Sequence, residues 1–239
     1  MRLTVFNGSP RGKASNTAIL LEHFLAGFEE QPGGGHETFY LIREKDPAVP
    51  VEAFREAQTV LLAFPLYTDC MPAVVKVFIE SLEPLCGRNG NPALGFLVHS
   101  GFPESVHSQN LRRYLEKLSR RLGCRCLGTV TRGNSEGVRA QPAIINRRVF
   151  SLMFELGRVF GETGRFDKQL MEKLAGPVRF SWLGLLGARL GLKMGQLFYW
   201  DKELKKHGAY DKRFARPYEP EKNNRGTDND SKPERRASR

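Results

Sequence analysis

The chain has 239 residues, 40% of them apolar and 26% charged, with a formal net charge of +11. That composition excludes a wholly disordered or collagen-like chain and provides enough apolar surface for one sizeable α/β core. The excess of Lys and Arg is spread along the chain without any nucleic-acid-binding motif, so nucleic acid is not an expected partner.

The first residues run straight into the apolar segment LTVF (3–6). They carry no basic stretch, long apolar run or small-residue cleavage site, so a cytoplasmic location without an export signal is expected. From Thr17 to Phe28, the residues Ile19, Leu20, His23, Phe24 and Phe28 recur at helical spacing. TFYLI (38–42) reads as a second strand, Val51–Glu56 as a short helix and TVLLAF (59–64) as a third strand. A helix over Ala73–Leu85 follows, carrying Val74, Val77, Phe78 and Leu82, and then a fourth strand, ALGFLVHS (93–100).

In LRRYLEKLSRRL (111–122), Leu111, Leu115, Leu118 and Leu122 share one side of a helix and the basic residues take the other, as a solvated face. CLGTVT (126–131) is the fifth strand. Strand and helix alternate throughout, which predicts a parallel sheet covered on both faces. After Pro142 the pattern turns helical, over Ile144–Phe160 and Asp167–Ala175. The expected organisation is a core over 1–165, a helical extension over 166–217 and a polar, disordered tail over 218–239 that lacks the apolar residues to bury.

Within the extension, FSWLGLLGARLGLKMGQLFYW (180–200) places Gly184, Gly187, Gly191 and Gly195 in one helical stripe. Leu183, Leu186, Leu190, Met194 and Leu197 form another, and Arg189, Lys193 and Gln196 a narrow polar one. The glycine stripe suits close packing against the core or a dimer mate. The apolar, basic, Trp-ended pattern also suits peripheral contact with a membrane interface. Central Arg189 and Lys193 argue against a span.

The four cysteines, Cys70, Cys86, Cys124 and Cys126, form no regular framework and read as reduced thiols. The five histidines show no metal-ligand spacing.

Two loops carry the chemistry. The first is FNGSPRGKASNTAIL (6–20), which follows the first strand and opens a helix. It is not a P-loop, because Gly8 to Gly12 is too short and Ala14 stands where a hydroxyl would reach magnesium; nor does it contain GxGxxG. Instead it combines the hydroxyls of Ser9, Ser15 and Thr17, the Asn16 amide and the Arg11 cation with the free amides of a helix N-terminus. That set suits a terminal phosphate monoester, a dianion with three free oxygens. An ordinary turn with Ser15 as the helix cap would account for one or two of these residues.

The second loop lies in FPLYTDCMPAVVKVFIE (64–80), after the third strand. The GSPR…SNT loop together with this Pro-x-Tyr…Met-Pro…Lys-x-Phe-Ile-Glu segment resembles the NAD(P)H-dependent FMN reductase family. The resemblance is carried by Met1 to Gly101 and extends to about residue 165.

It implies a flavodoxin-like five-stranded parallel sheet of order 2-1-3-4-5, with FMN in the crevice between the carboxyl ends of strands 1 and 3. Ser9, Arg11, Ser15, Asn16 and Thr17 would then hold the phosphate. Pro65, Leu66 and Tyr67 would line the ring with backbone amides and an aromatic face, and Thr68 and Asp69 would reach the ribityl chain or ring. Asp69 reads equally as a plain helix cap, and Pro72 as the first residue of the next helix. Ser100, Gly101 and Phe102 would complete the ring pocket, with Gly133, Glu136 and Gly137 on the substrate side.

The resemblance further implies hydride transfer from NAD(P)H to FMN, then reduction of a small-molecule acceptor such as a quinone, azo or nitro compound or free flavin. It also implies a homodimer. The compact cysteine cluster of iron–sulfur relatives is absent from Arg43–Gln58. Two other readings stay open: a flavodoxin-type electron carrier, and a flavoprotein that docks a membrane or partner through 180–200.

Overall fold

The computed structural model describes residues 1–196 and 200–218. Most of the expected tail, beyond Tyr218, and Leu197 of the leucine stripe lie outside the described residues.

The elements follow the expected alternation: β1 (Arg2–Asn7), α1 (Asn16–Phe28), β2 (Gly35–Tyr40), α2 (Ala48–Glu56), β3 (Thr59–Pro65), α3 (Ala73–Ser81), β4 (Ala93–His99), α4 (Gln109–Leu122) and β5 (Cys126–Arg132). α5 (Ala143–Thr163) and α6 (Lys168–Ala175) complete the unit that spans Met1–Ser181. The five strands form one parallel sheet in the order β2-β1-β3-β4-β5, so the strand order reverses between β1 and β3. This is the flavodoxin-like arrangement.

Each sheet face has its own core. On one, Phe6, Val60, Leu62, Phe64, Phe96 and Val98 pack against Phe54 of α2, Phe78 of α3 and Leu115 of α4. On the other, Leu3, Val5, Leu61, Ala63, Leu97 and Val130 meet Phe24 and Phe28 of α1 and Met153, Leu156 and Phe160 of α5. β3 and β4 are buried at every residue, which is why both read as unbroken apolar runs rather than alternating ones. Phe166, just before α6, and Leu174 within it also enter the second core, so residues just past 165 are packed with the sheet.

Two local boundaries depart from the sequence reading. β2 starts at Gly35 and stops at Tyr40, and Leu41–Arg43 turn into a 3-10 helix. Pro72 sits one position outside α3, at its N-cap, and Asp69 does not cap that helix.

A second unit begins at Trp182. Its described elements are α7 (Trp182–Gly195), α8 (Asp201–Lys206) and a 3-10 turn at Tyr210–Lys212, where the Arg213 guanidinium lies 3.8 Å from the Tyr210 ring centroid.

Candidate functional site at the carboxyl edge of the sheet

The loops that follow β1, β3, β4 and β5 all emerge at the carboxyl edge, and the β1/β3 reversal opens the crevice there. Gly8 begins the first loop by donating its amide to the Ala63 carbonyl of β3 at 2.8 Å. A Cβ on Gly8 would lie 2.1 Å from a Val75 methyl, so only glycine lets the loop cross β3 at this height. Ser15 then caps α1: its Oγ accepts from the Ala18 amide at 3.1 Å and donates to the Gly12 carbonyl at 2.6 Å. The amides of Asn16 and Thr17 lie ahead of the first intrahelical bond and remain available to an anion.

Side-chain commitments narrow the expected donor set. Asn16 turns its amide away, donating to the carbonyls of Ser135 at 2.8 Å and Glu136 at 3.0 Å, and so ties α1 to the loop after β5. Thr17 is fully buried and its hydroxyl meets His99 Nε2 at 2.7 Å. Ser9 is buried, and its Oγ accepts from the Arg11 amide at 3.4 Å while its proton has no acceptor among the described residues. Beneath the loop, Asn7 accepts from the Ser9 amide through Oδ1, but its Nδ2 is buried without a partner.

Cations surround this loop. Arg11 is exposed; Lys13 Nζ and the Arg43 guanidinium both lie over the Tyr40 ring, at 5.6 and 5.9 Å from its centroid. Arg43 Nε would lie 3.7 Å from a Cβ built on Gly12, and Arg139 donates to the Ala14 carbonyl. None of the four pairs with a carboxylate among the described residues. Unneutralised positive charge around free helix amides draws in an anion. Arg43 and Arg139 escape a sequence reading because they reach the loop from remote turns.

The loop after β3 is a tight turn in which Tyr67 and Cys70 exchange both amide–carbonyl bonds, at 2.9 and 3.1 Å. Thr68 holds φ at +56°, an unusual conformation for a β-branched residue, which marks the turn as constrained. Pro65 and Leu66 are buried, and the Leu66 amide donates to the His99 carbonyl at 2.7 Å. The amides of Leu66 and Tyr67, expected to face a ligand, are therefore used inside the fold. What this loop presents is the half-exposed Tyr67 ring and the exposed Thr68 and Asp69.

The loops after β4 and β5 interlock. The Ser100 carbonyl accepts both the amide and the hydroxyl of Ser135, each at 2.8 Å. The Asn134 amide donates to the Phe102 carbonyl at 2.9 Å. A Cβ on Gly133 would sit 2.6 Å from that carbonyl, so Gly133 is needed for the two loops to touch. Gly101 is exposed, a Cβ there would meet only Glu136 at 3.6 Å, and Phe102 stacks on His107 with ring centroids 4.3 Å apart. Glu136 is exposed, with its backbone carbonyl held by Asn16.

The residue joining these loops is His99, at the end of β4. It touches Thr17 through Nε2 and Ser135 Oγ through Nδ1 at 2.8 Å, and burial pushes its pKa down to about 4. The sequence signal for it was slight: one histidine closing an apolar strand.

No family model matches the chain, and no curated protein shows significant similarity to it. Solved structures do match. Azoreductase AzrA is 17% identical, with 67% of this chain and 100% of that one covered at a TM-score of 0.53. The apo form of the NADH:FMN oxidoreductase EMOB is 17% identical, covering 75% of this chain and 96% of its own at a TM-score of 0.50. A flavone reductase is 11% identical and covers 92% of this chain and 100% of its own at a TM-score of 0.53. The shared feature is the flavodoxin-like fold.

Proposed function

We propose that this chain is an FMN-dependent NAD(P)H oxidoreductase that reduces a quinone, azo, nitro or flavin acceptor. One observation carries the reading: the loop after β1, with free helix amides and four surrounding cations that pair with no carboxylate among the described residues, leaves the sheet at the β1/β3 reversal, where the turn carrying Tyr67 follows β3. The neighbouring structures include proteins described as an azoreductase, an NADH:FMN oxidoreductase and a flavone reductase, which agrees with that chemistry.

The residues fit the cofactor. The Asn16 and Thr17 amides, the Ser9 hydroxyl and the Arg11 guanidinium would hold the phosphate, with Lys13, Arg43 and Arg139 adding positive field. The orphaned Asn7 Nδ2 beneath the loop is a further donor that a ligand or its water would satisfy. Ser15 serves this site through the helix cap rather than through its own proton. Tyr67 and Phe102 would flank the ring system, Thr68 and Asp69 would meet its polar edge or ribityl chain, and Pro65, Leu66 and Ser100 would fix those loops from beneath. Gly101 and Glu136 would border the open side, where nicotinamide and acceptor enter in turn.

Bound FMN would supply the redox chemistry, taking hydride from nicotinamide and passing electrons onward. The chain's task is to position, to screen from water and to offset negative charge, and none of these requires a side-chain base. A homodimer belongs to the same proposal, with sedimentation as its measurement.

The test is the visible absorption spectrum of the purified protein before and after anaerobic NADPH. Flavin bands that bleach support the oxidoreductase. Flavin bands that persist with both NADH and NADPH point to an electron carrier instead. A colourless protein that takes up no added FMN removes both readings.

A further inference from the structure

We propose that the segment beginning with α7 docks on an anionic lipid bilayer, lying along the headgroup boundary rather than crossing it. This inference stands apart from the flavin chemistry. Apart from Arg189 and Lys193, the α7 sequence WLGLLGARLGLKMG contains no ionisable residue. Helical geometry puts Leu183, Leu186 and Leu190 on one side and Arg189 and Lys193 in a narrow stripe beside them, in line with Trp182.

The apolar side is open. Leu183, Leu186 and Leu190 are 60%, 61% and 65% exposed, and Trp182 is 73% exposed. A Cβ built on Gly187, Gly191 or Gly195 meets nothing within 4 Å, so these three positions stand in open space. Large apolar side chains exposed together mark an interaction surface.

Charge identifies the partner. Arg189 and Lys193 are exposed and make no ion pair among the described residues; in α8, Lys202, Lys205 and Lys206 outnumber Asp201 and Glu203, and Lys206 pairs with Glu203 at 3.7 Å. An anionic bilayer offers both environments at once: an acyl boundary for the leucines, and phosphates for the cations, with Trp182 at headgroup depth. A second copy packed face to face would bring like charges together, because α7 has no carboxylate to answer Arg189 and Lys193. Spanning is disfavoured as well, since no helix of the described residues is long and apolar enough to cross a membrane.

The chain carries its own reporter. Its two tryptophans, Trp182 and Trp200, both lie in this segment, so tryptophan emission reports on it. Full-length protein would be titrated with phosphatidylcholine vesicles with and without phosphatidylglycerol, alongside vesicle flotation. A blue shift and flotation on the anionic vesicles are expected, with binding to the neutral ones weaker by at least about 10-fold. The double variant Arg189→Gln/Lys193→Gln should lose roughly 30-fold in affinity for the anionic vesicles. Leu186→Asp/Leu190→Asp should abolish the shift while the thermal unfolding of the protein stays unchanged.

Unchanged emission on anionic vesicles would overturn the proposal, as would equal binding to both lipids. So would emission that is already blue-shifted without lipid, depends on protein concentration and accompanies a dimer that Leu186→Asp breaks. That last result would make α7 a self-association surface.

Discussion

Thr17 Oγ1 lies 2.7 Å from His99 Nε2, a contact that joins the first turn of α1 to the end of β4 across 82 residues of sequence. The proton positions follow from the neighbours. Ser135 Oγ has one proton and lies 2.8 Å from the Ser100 carbonyl, which can only accept, so Ser135 donates there. Ser135 Oγ must then accept from His99 Nδ1, also at 2.8 Å. The buried ring is neutral, so Nε2 carries the lone pair and Thr17 donates to it. A protonated ring would make Nε2 a donor, so Thr17 would have to accept there and its own proton would lose this acceptor.

Stability should therefore depend on pH through His99. Its pKa is pushed down by burial to about 4 from the ordinary 6.5, so on acidification the unfolded chain takes up the proton first. The stabilisation is complete above pH 6.5 and is lost progressively as the pH falls toward 4, by about 3 kcal/mol in all. Thermal melting from pH 7 to 4 measures this loss, and His99→Gln, which keeps a donor and an acceptor without titrating, should flatten the profile over that range. An unchanged profile in the variant would assign the acid sensitivity to other groups.

Arg11 and Ser15 should separate ligand binding from helix capping. Arg11 is exposed and unpaired, so Arg11→Ala should leave the melting temperature of the FMN-free protein unchanged. It should weaken FMN by roughly 10- to 100-fold, the worth of one charge-assisted hydrogen bond. Ser15 caps α1, so Ser15→Ala should cost about 1 kcal/mol of stability and weaken FMN only as the helix end frays. Denaturation and FMN fluorescence titration of both variants make the comparison. Equal melting losses would remove the distinction.

Asn16 should act on the loop after β5 more than on a ligand. Its amide donates to two carbonyls there, and Asn16→Ala would leave both short of a donor, at a cost of about 2 kcal/mol. The Val138 amide, which bonds to the Ser135 carbonyl at 3.3 Å, should then exchange with deuterium faster. Unaltered exchange at Val138 with a large loss of FMN would instead make Asn16 a phosphate ligand.

Where each feature is encoded decides how much the sequence reveals of it. β3 and β4 are legible because burial on both faces demands continuous apolar runs, TVLLAFP and ALGFLVH. β2 is legible only in part: it is an edge strand with no fully buried residue, and its Gly35–His36–Glu37 start has no apolar signal. The Ser15 cap is likewise local and legible. His99, Ser135 and Arg139 are not, because each acts through a partner 36 to 125 residues away and only the closed sheet brings them together. The free amides expected at Leu66 and Tyr67 failed for the same reason, since their acceptors come from β4 and from the turn itself.

Gly27 and Gly157 should be the positions of the core least tolerant of a methyl group. A Cβ on Gly27 would fall 1.9 Å from the Phe154 carbonyl oxygen, and one on Gly157 would fall 1.8 Å from the Phe24 carbonyl oxygen. Each glycine of α1 or α5 thus lies on the backbone of the other helix, where no rotamer change can give way. Alanine would gain up to about 1 kcal/mol of helix propensity at either site. Forcing the helices apart should outweigh that gain and destabilise each single variant by about 3 kcal/mol net. The double variant should lose less than the sum, because the separation forced by the first alanine makes room for the second. Urea denaturation of the two single variants and the double one measures this coupling, and strict additivity would mean that α1 and α5 adjust independently at the two contacts.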